Sequence, residues 1–173
     1  MVEEGSITIG STARASILTD HRQETERHHT ATHLLHRALK DVLGDHVNQA
    51  GSYVGPKRLR FDFTHFQAVS DAELRRIENQ VNDEILRNSP VVPVVTDLES
   101  AKRQGAMALF GEKYEEEVRM VQVGDHSLEL CGGTHVSSTG EVGFFKILSE
   151  GSVAAGVRRI EAVVGSEAVA HIR

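Results

Sequence analysis

The chain has 173 residues, 39% of them apolar, and 19 Lys and Arg against 25 Asp and Glu give a net charge of −6. That is ordinary for a globular chain of about one domain, and the acid excess argues against holding nucleic acid across a broad face, though not at a small local site. No apolar run approaches the roughly 18 residues a membrane-spanning helix needs, and Met1 to Gly10 hold two acids and no apolar core of the kind a secretory signal requires.

The single cysteine, Cys131, cannot close an internal disulfide. It fits a reducing compartment and is left free, buried, reactive or metal-bound. Ten histidines are many for this length, and six Phe, two Tyr and no Trp make the core mainly aliphatic.

Ser6-Ile7-Thr8-Ile9 alternates polar and apolar and predicts a short strand, with Ala13 to Leu18 as a weaker partner. Residues 1–20 are therefore expected to be terminal strands left from a preceding β domain. From about Arg22 to Leu43, Ala31, Leu34, Leu35, Ala38, Leu39 and Val42 fall at three-and-four spacing and predict a helix, ended by Gly44. Asn48 to Ser52 reads as a loop, and Leu59 to Phe63 as a half-buried strand. Ser70-Asp71-Ala72-Glu73 has capping-box spacing and opens a second helix to about Arg87. Val91 to Val95, framed by Pro90 and Pro93, predicts a strand. Thr96-Asp97-Leu98-Glu99 repeats the capping spacing before a short helix to Arg103. Strands follow at Val118–Val123, Ser127–Leu130, Gly143–Leu148 and Arg158–Val164. The expected class is α+β, a mostly antiparallel sheet packed on two long helices. Residues 166–173 would begin a linker or the next element.

The chemistry concentrates in two short motifs. His29 and His33 are one helical turn apart, so both imidazoles share a face. About a hundred residues later, Cys131-Gly132-Gly133-Thr134-His135 places a thiol and an imidazole around two glycines, which allow a sharp backbone path. Three imidazoles and a thiolate suit tetrahedral zinc. His36 falls near the same face and could compete. A Cys131–His135 nucleophilic pair is conceivable, but it leaves the helical histidines idle. A buried histidine pair with a structural cysteine is the plainer alternative. No H-E-x-x-H, C-x-x-C or phosphate-binding glycine loop is present.

Five blocks in order carry a resemblance: His29-Thr-Ala-Thr-His33-Leu-Leu-His36, Leu59-Arg-Phe-Asp-Phe63, Gly105 to Tyr114, Glu129-Leu-Cys-Gly-Gly-Thr-His135, and Ala154 to Glu161. Together they resemble the editing domain of bacterial alanyl-tRNA synthetase. The free-standing alanyl-tRNA editing proteins and the threonyl enzyme's editing domain share the two metal half-motifs. The likeness covers about Asp20 to Gly165, which sets the expected editing domain at 21–165, with the fold of the second additional domain of those synthetases. It implies hydrolysis of tRNA(Ala) that carries serine or glycine at its 3′ end, with Zn2+ on His29, His33, Cys131 and His135. It implies a cytoplasmic protein working with the synthetase's remaining domains and with no membrane.

The resemblance also implies site residues beyond the ligands. Cys131, Gln49 and Thr32 would be catalytic, and Thr30, Thr32, Gln49 and Arg158 would bind substrate, with Thr30 the weakest of these because it points elsewhere on the helix. On their own residue types, Thr32 would more simply bond back to a helix carbonyl and Gln49 would be a solvated loop residue. Arg158 and Arg159 are adjacent in a strand and face opposite sides; the second is expected to pair with a surface acid. Lys57, Arg58 and Arg60 could touch an acceptor stem or simply line a solvated edge. Serine is larger than alanine, so discrimination must come from recognising the hydroxyl, not from exclusion. Zinc then either orders the pocket or activates water, with ordering favoured because no motif carboxylate is an obvious base. A zinc-stabilised module that binds a tRNA end without cutting is the competing class.

Overall fold

The computed structural model describes residues 6, 8–107 and 114–172. Helix α1 (Thr19–Leu43) is followed by strands β1 (Gln49–Val54) and β2 (Leu59–Thr64), helix α2 (Asp71–Leu86), strand β3 (Val91–Asp97), helix α3 (Leu98–Arg103) and strands β4 (Glu117–Val123) and β5 (Ser127–Leu130). A short 3₁₀ turn at Thr139–Val142 precedes strands β6 (Phe145–Ala154) and β7 (Val157–Val164) and helix α4 (Gly165–Ile172). The class is α+β, as expected, with the antiparallel strands divided between a four-stranded sheet, β1-β2-β7-β6, and a three-stranded sheet, β3-β4-β5.

The core follows from the sequence periodicities. In the larger sheet Leu59 pairs with Ala162 and Phe61 with Ile160, so all four project to one face and are fully buried. Ala31, Leu34, Leu35, Ala38 and Leu39 of α1 and Ile77 and Val81 of α2 cover that face. Each fully buried Leu, Ile or Phe contributes about 2 kcal/mol of transfer free energy. On β4, Val121 and Val123 join this core, while Val118 and Met120 on the opposite face pack with Ala101 of α3 and Leu130. The small sheet therefore joins the main body to the short helix.

The middle of α1 is unusual. Thr30 to His36 is buried on every side, and His28 is buried as well. A helix buried all round is normally apolar. Here it carries histidines and threonines, each of which needs a partner.

Several sequence expectations change. The strand expected over Ser6–Ile9 includes Ile7, which lies outside the described residues. Ala13 to Leu18 is exposed and unpaired, not a strand. Asn48 to Ser52 is no loop: β1 begins at Gln49 and pairs antiparallel to β2, with an irregularity between Gln49 and Gly51. As an edge strand of small and polar residues it carries no apolar alternation to read. The α3 cap is Asp97, whose Oδ1 accepts from the Ser100 N–H at 2.8 Å, while Thr96 stays in β3 opposite Val118. Strand β6 runs on through polar residues to Ala154, forming a hairpin with β7.

Candidate metal centre

The loop that leaves β5 brings Cys131 and His135 against the buried middle of α1. The four candidate ligand atoms of His29, His33, Cys131 and His135 all lie within 4.8 Å of one another. The Cys131 Sγ is 3.4 Å from Nε2 of His29 and 3.4 Å from Nε2 of His135.

The other nitrogen of each ring is anchored. His29 Nδ1 lies 3.1 Å from the Thr134 carbonyl, which can only accept, so that nitrogen carries the proton. His33 Nδ1 lies 3.0 Å from Oε2 of Glu129. His135 Nδ1 lies 3.2 Å from the Thr30 hydroxyl. With Nδ1 engaged, Nε2 is left as the inward-facing donor, and that of His33 is buried with no protein partner. A metal-binding imidazole is normally oriented this way. Three imidazole nitrogens and one sulfur, closely grouped, fit a tetrahedral ion such as zinc.

The electrostatics of Cys131 and His135 suit metal binding, whereas His33, raised by Glu129, must give up its inward proton before it can bind an ion. Burial raises the Cys131 thiol, but hydrogen bonds from His135 and His29 and the nearby charge of His33 outweigh it and bring the group down to about 3. The thiolate is the form that binds metal. Burial holds His135 down to about 4, which keeps its lone pair available. Glu129 would be raised by its burial, yet His33 and His36 keep it ionised, and the same carboxylate raises His33.

Glu129 is the residue the sequence reading missed. It is 4% exposed, and Oε2 is shared by His33 and His36, the latter at 3.2 Å, while Oε1 accepts from the Ser127 hydroxyl at 3.0 Å. His36 shares Glu129 with His33 but is not among the four residues whose ligand atoms converge. A signal was available: Ser127 and Glu129 alternate along β5 and share a face, two residues before Cys131. Arg119 on β4 was missed as well; its guanidinium donates to the carbonyls of Cys131 and Gly133.

The two glycines differ. A Cβ on Gly133 would lie 2.1 Å from Cε1 of His29, whereas one on Gly132 would meet nothing within 4 Å. Neither has a positive φ. The loop needs Gly133 for close approach to the ring, not for a left-handed turn.

Of the remaining expected site residues, Thr30 touches the cluster, and the recorded hydrogen bonds of Thr32, Gln49 and Arg158 go elsewhere. Thr30 is fully buried, and its hydroxyl lies 3.2 Å from Nδ1 of His135 and accepts from the Val136 N–H. Thr32 donates to the His28 carbonyl at 2.9 Å. Gln49 and Arg158 are both cross-strand partners of Phe63, so they occupy one row on the helix-facing side of the larger sheet. Gln49 Nε2 reaches Ser52 Oγ at 3.3 Å. Arg158 donates from Nε and Nη2 to Glu150 at 2.6 and 2.7 Å. Arg159 faces the other side and pairs with Asp62 at 2.7 Å, a buried acid and not the expected surface one. Arg58 and Arg60 lie 3.8 and 3.7 Å from Glu161 and Asp62, which offsets their charge.

A cavity of about 280 Å³ opens beside the cluster, lined by Gln23, Glu26, Arg27 and His135 among others. A larger one, about 400 Å³, lies between α2 and β6 away from these residues. The first has the ligand chemistry on its wall.

The family profile described as "Threonyl and Alanyl tRNA synthetase second additional domain" matches residues 118–161. The chain is 59% identical over 172 residues to an alanine–tRNA ligase of Carboxydothermus hydrogenoformans. The resemblance to alanyl-tRNA synthetase holds. The alanine–tRNA ligase of Shewanella loihica is 55% identical over 172 residues, and that of Alkaliphilus metalliredigens 56% over 169. These matches take in 98–99% of the chain but 19–20% of each relative, so the chain spans about a fifth of the alanine–tRNA ligases it matches. Among the described residues, no helix is long and apolar enough to cross a membrane.

Proposed function

We propose that this chain is an editing deacylase unit, hydrolysing the ester that joins serine or glycine to the 3′ end of tRNA(Ala), with Zn2+ held by His29, His33, Cys131 and His135. The observation that carries the reading is the orientation of the cluster: Nδ1 of each of the three imidazoles is anchored outward, and the sulfur is within 3.4 Å of two Nε2 atoms. The similarity to alanine–tRNA ligases supplies the substrate class. Residues 21–165 form the proposed editing unit. Residues 1–20 and 166–173 would connect it to the rest of a synthetase, which would make most of the phosphate contacts, and the setting would be cytoplasmic.

When bound, zinc would supply a fixed positive charge that orders the pocket and orients the substrate's amino or hydroxyl group. The protein side of the work falls to named residues. Glu129 holds His33, and Thr30 holds His135. Thr32 spends its proton on the His28 carbonyl, so toward a substrate its oxygen acts as an acceptor. That suits the hydroxyl of serine, and alanine would leave the oxygen unpaired. Gln49 offers a donor and an acceptor from β1 to the ester or the hydroxyl. Arg158 uses Nε and Nη2 on Glu150, and its Nη1 would donate to the terminal ribose or phosphate.

A time course of seryl- and alanyl-tRNA(Ala), with the chain in excess and zinc present, tests the reading. Loss of serine with alanine spared is the expected result, and Cys131→Ala should abolish it. Binding of tRNA with both esters intact would favour a metal-stabilised module that docks the tRNA end without cutting it.

A further inference from the structure

We propose that Arg119 is a positioning residue for the metal loop, holding the Cys131–Gly133 backbone in the path that presents the Cys131 sulfur to the three imidazoles. The inference rests on the metal-site reading above. Arg119 makes three bonds to this segment. Its carbonyl accepts from the Cys131 N–H at 3.0 Å, which carries the β4–β5 ladder one residue past the end of β5. Its Nη1 donates to the Cys131 carbonyl at 2.7 Å and to the Gly133 carbonyl at 2.8 Å.

Farther along, the loop is tied by the Val136 N–H to Thr30 and by the Ser137 carbonyl to the Val91 N–H, which leaves the Cys131–Gly133 backbone to Arg119. Residues 131–137 form no helix or strand, and the space beside Gly132 is open. Of its first carbonyls, those of Cys131 and Gly133 go to Arg119, and that of Thr134 goes to His29. Arg119 therefore sets the course of the chain on both sides of Gly132. The Gly133 carbonyl precedes the peptide whose oxygen orients His29, so the guanidinium acts on two ligands: Cys131 through its backbone, and His29 through Thr134. Hydrogen bonds from a charged donor are the stronger kind. A lysine ammonium on a flexible stem would not reproduce the fixed geometry.

The test uses the 173-residue chain with Co2+ as the probe, comparing the parent with Arg119→Lys and Arg119→Met. Outer partners of metal ligands typically govern affinity by about 10- to 100-fold, and a loss in that range is expected for both variants. A weakened thiolate-to-cobalt absorption band should accompany it, while thermal unfolding without metal stays close to that of the parent. Parent-like affinity and spectrum in both variants would overturn the role of Arg119 and leave the metal site standing. A parent chain with no thiolate–cobalt band would overturn the metal-site reading and this inference with it. Unfolding of both variants without metal would also overturn it, because Arg119 would then hold the sheet and not the loop.

Discussion

A methyl group on Gly133 would sit 2.1 Å from Cε1 of His29, well inside contact distance, while the neighbouring Gly132 faces open space. The His29 ring and the Gly133 backbone thus meet across a gap that only a hydrogen atom fits. Gly133→Ala must push the His29 ring or the loop away, and should weaken metal binding by at least about tenfold, on the scale seen when ligand-orienting groups are lost. Gly132→Ala should leave it unchanged. Metal titration of the two variants side by side checks this, and equal affinities would show that the approach is not limiting.

Glu129 gives a second prediction. Replacing it with Gln keeps the shape but weakens its hold on His33 and His36, and metal affinity should fall by about 10- to 100-fold. Glu129→Ala leaves two buried histidines without their acceptor, which adds a stability cost of about 1–3 kcal/mol for each donor left unpaired. Thermal unfolding and metal titration separate the two effects.

Gln49 should behave oppositely. It lies on β1, and its recorded bond is to Ser52, not to a ligand. Gln49→Ala should lower the rate of serine release from tRNA by roughly 10-fold or more, as loss of a substrate hydrogen bond would, while metal affinity stays unchanged. A fall in metal content would place Gln49 in the support of the cluster.

Acid should weaken the fold through His65. This ring is 4% exposed, and burial, aided by the neighbouring His46 at 2.8 Å, lowers its affinity for a proton. The unfolded chain takes up that proton as pH falls below about 6.5. The folded chain resists until a lower pH. Stability from this group is therefore complete above about pH 7 and declines below 6.5, by at most about 1.4 kcal/mol per pH unit. Unfolding curves at pH 7.5 and 5.5 should show a smaller loss in His65→Gln than in the parent.

The sequence exposed what local periodicity controls. The apolar stripe of α1 and the Ser70 capping box are formed as expected, the latter with the Ser70 N–H donating to Glu73 at 2.8 Å. The cluster of His29, His33, Cys131 and His135 was legible because these residue types are rare and their spacing is specific. Strand β1 was hidden because an edge strand of Ala50, Gly51 and Ser52 has no buried face to mark it. Glu129 and Arg119 were hidden for another reason. Their partners are other segments, 96 residues away for His33; the alternation of Ser127 and Glu129 marks a shared face of β5 but does not say which helix that face will meet. The helical angle of Thr30, read alone, likewise does not disclose that His135 lies on that side.

The central claim is that the His29–His33–Cys131–His135 cluster carries the hydrolysis. The most direct measurement is serine release from seryl-tRNA(Ala), with the chain in excess, before removal of metal by a chelator, after removal, and after zinc is restored. The account predicts release that is lost with the metal and recovered with zinc, with alanyl-tRNA(Ala) spared throughout. Undiminished release from the metal-free chain would contradict it.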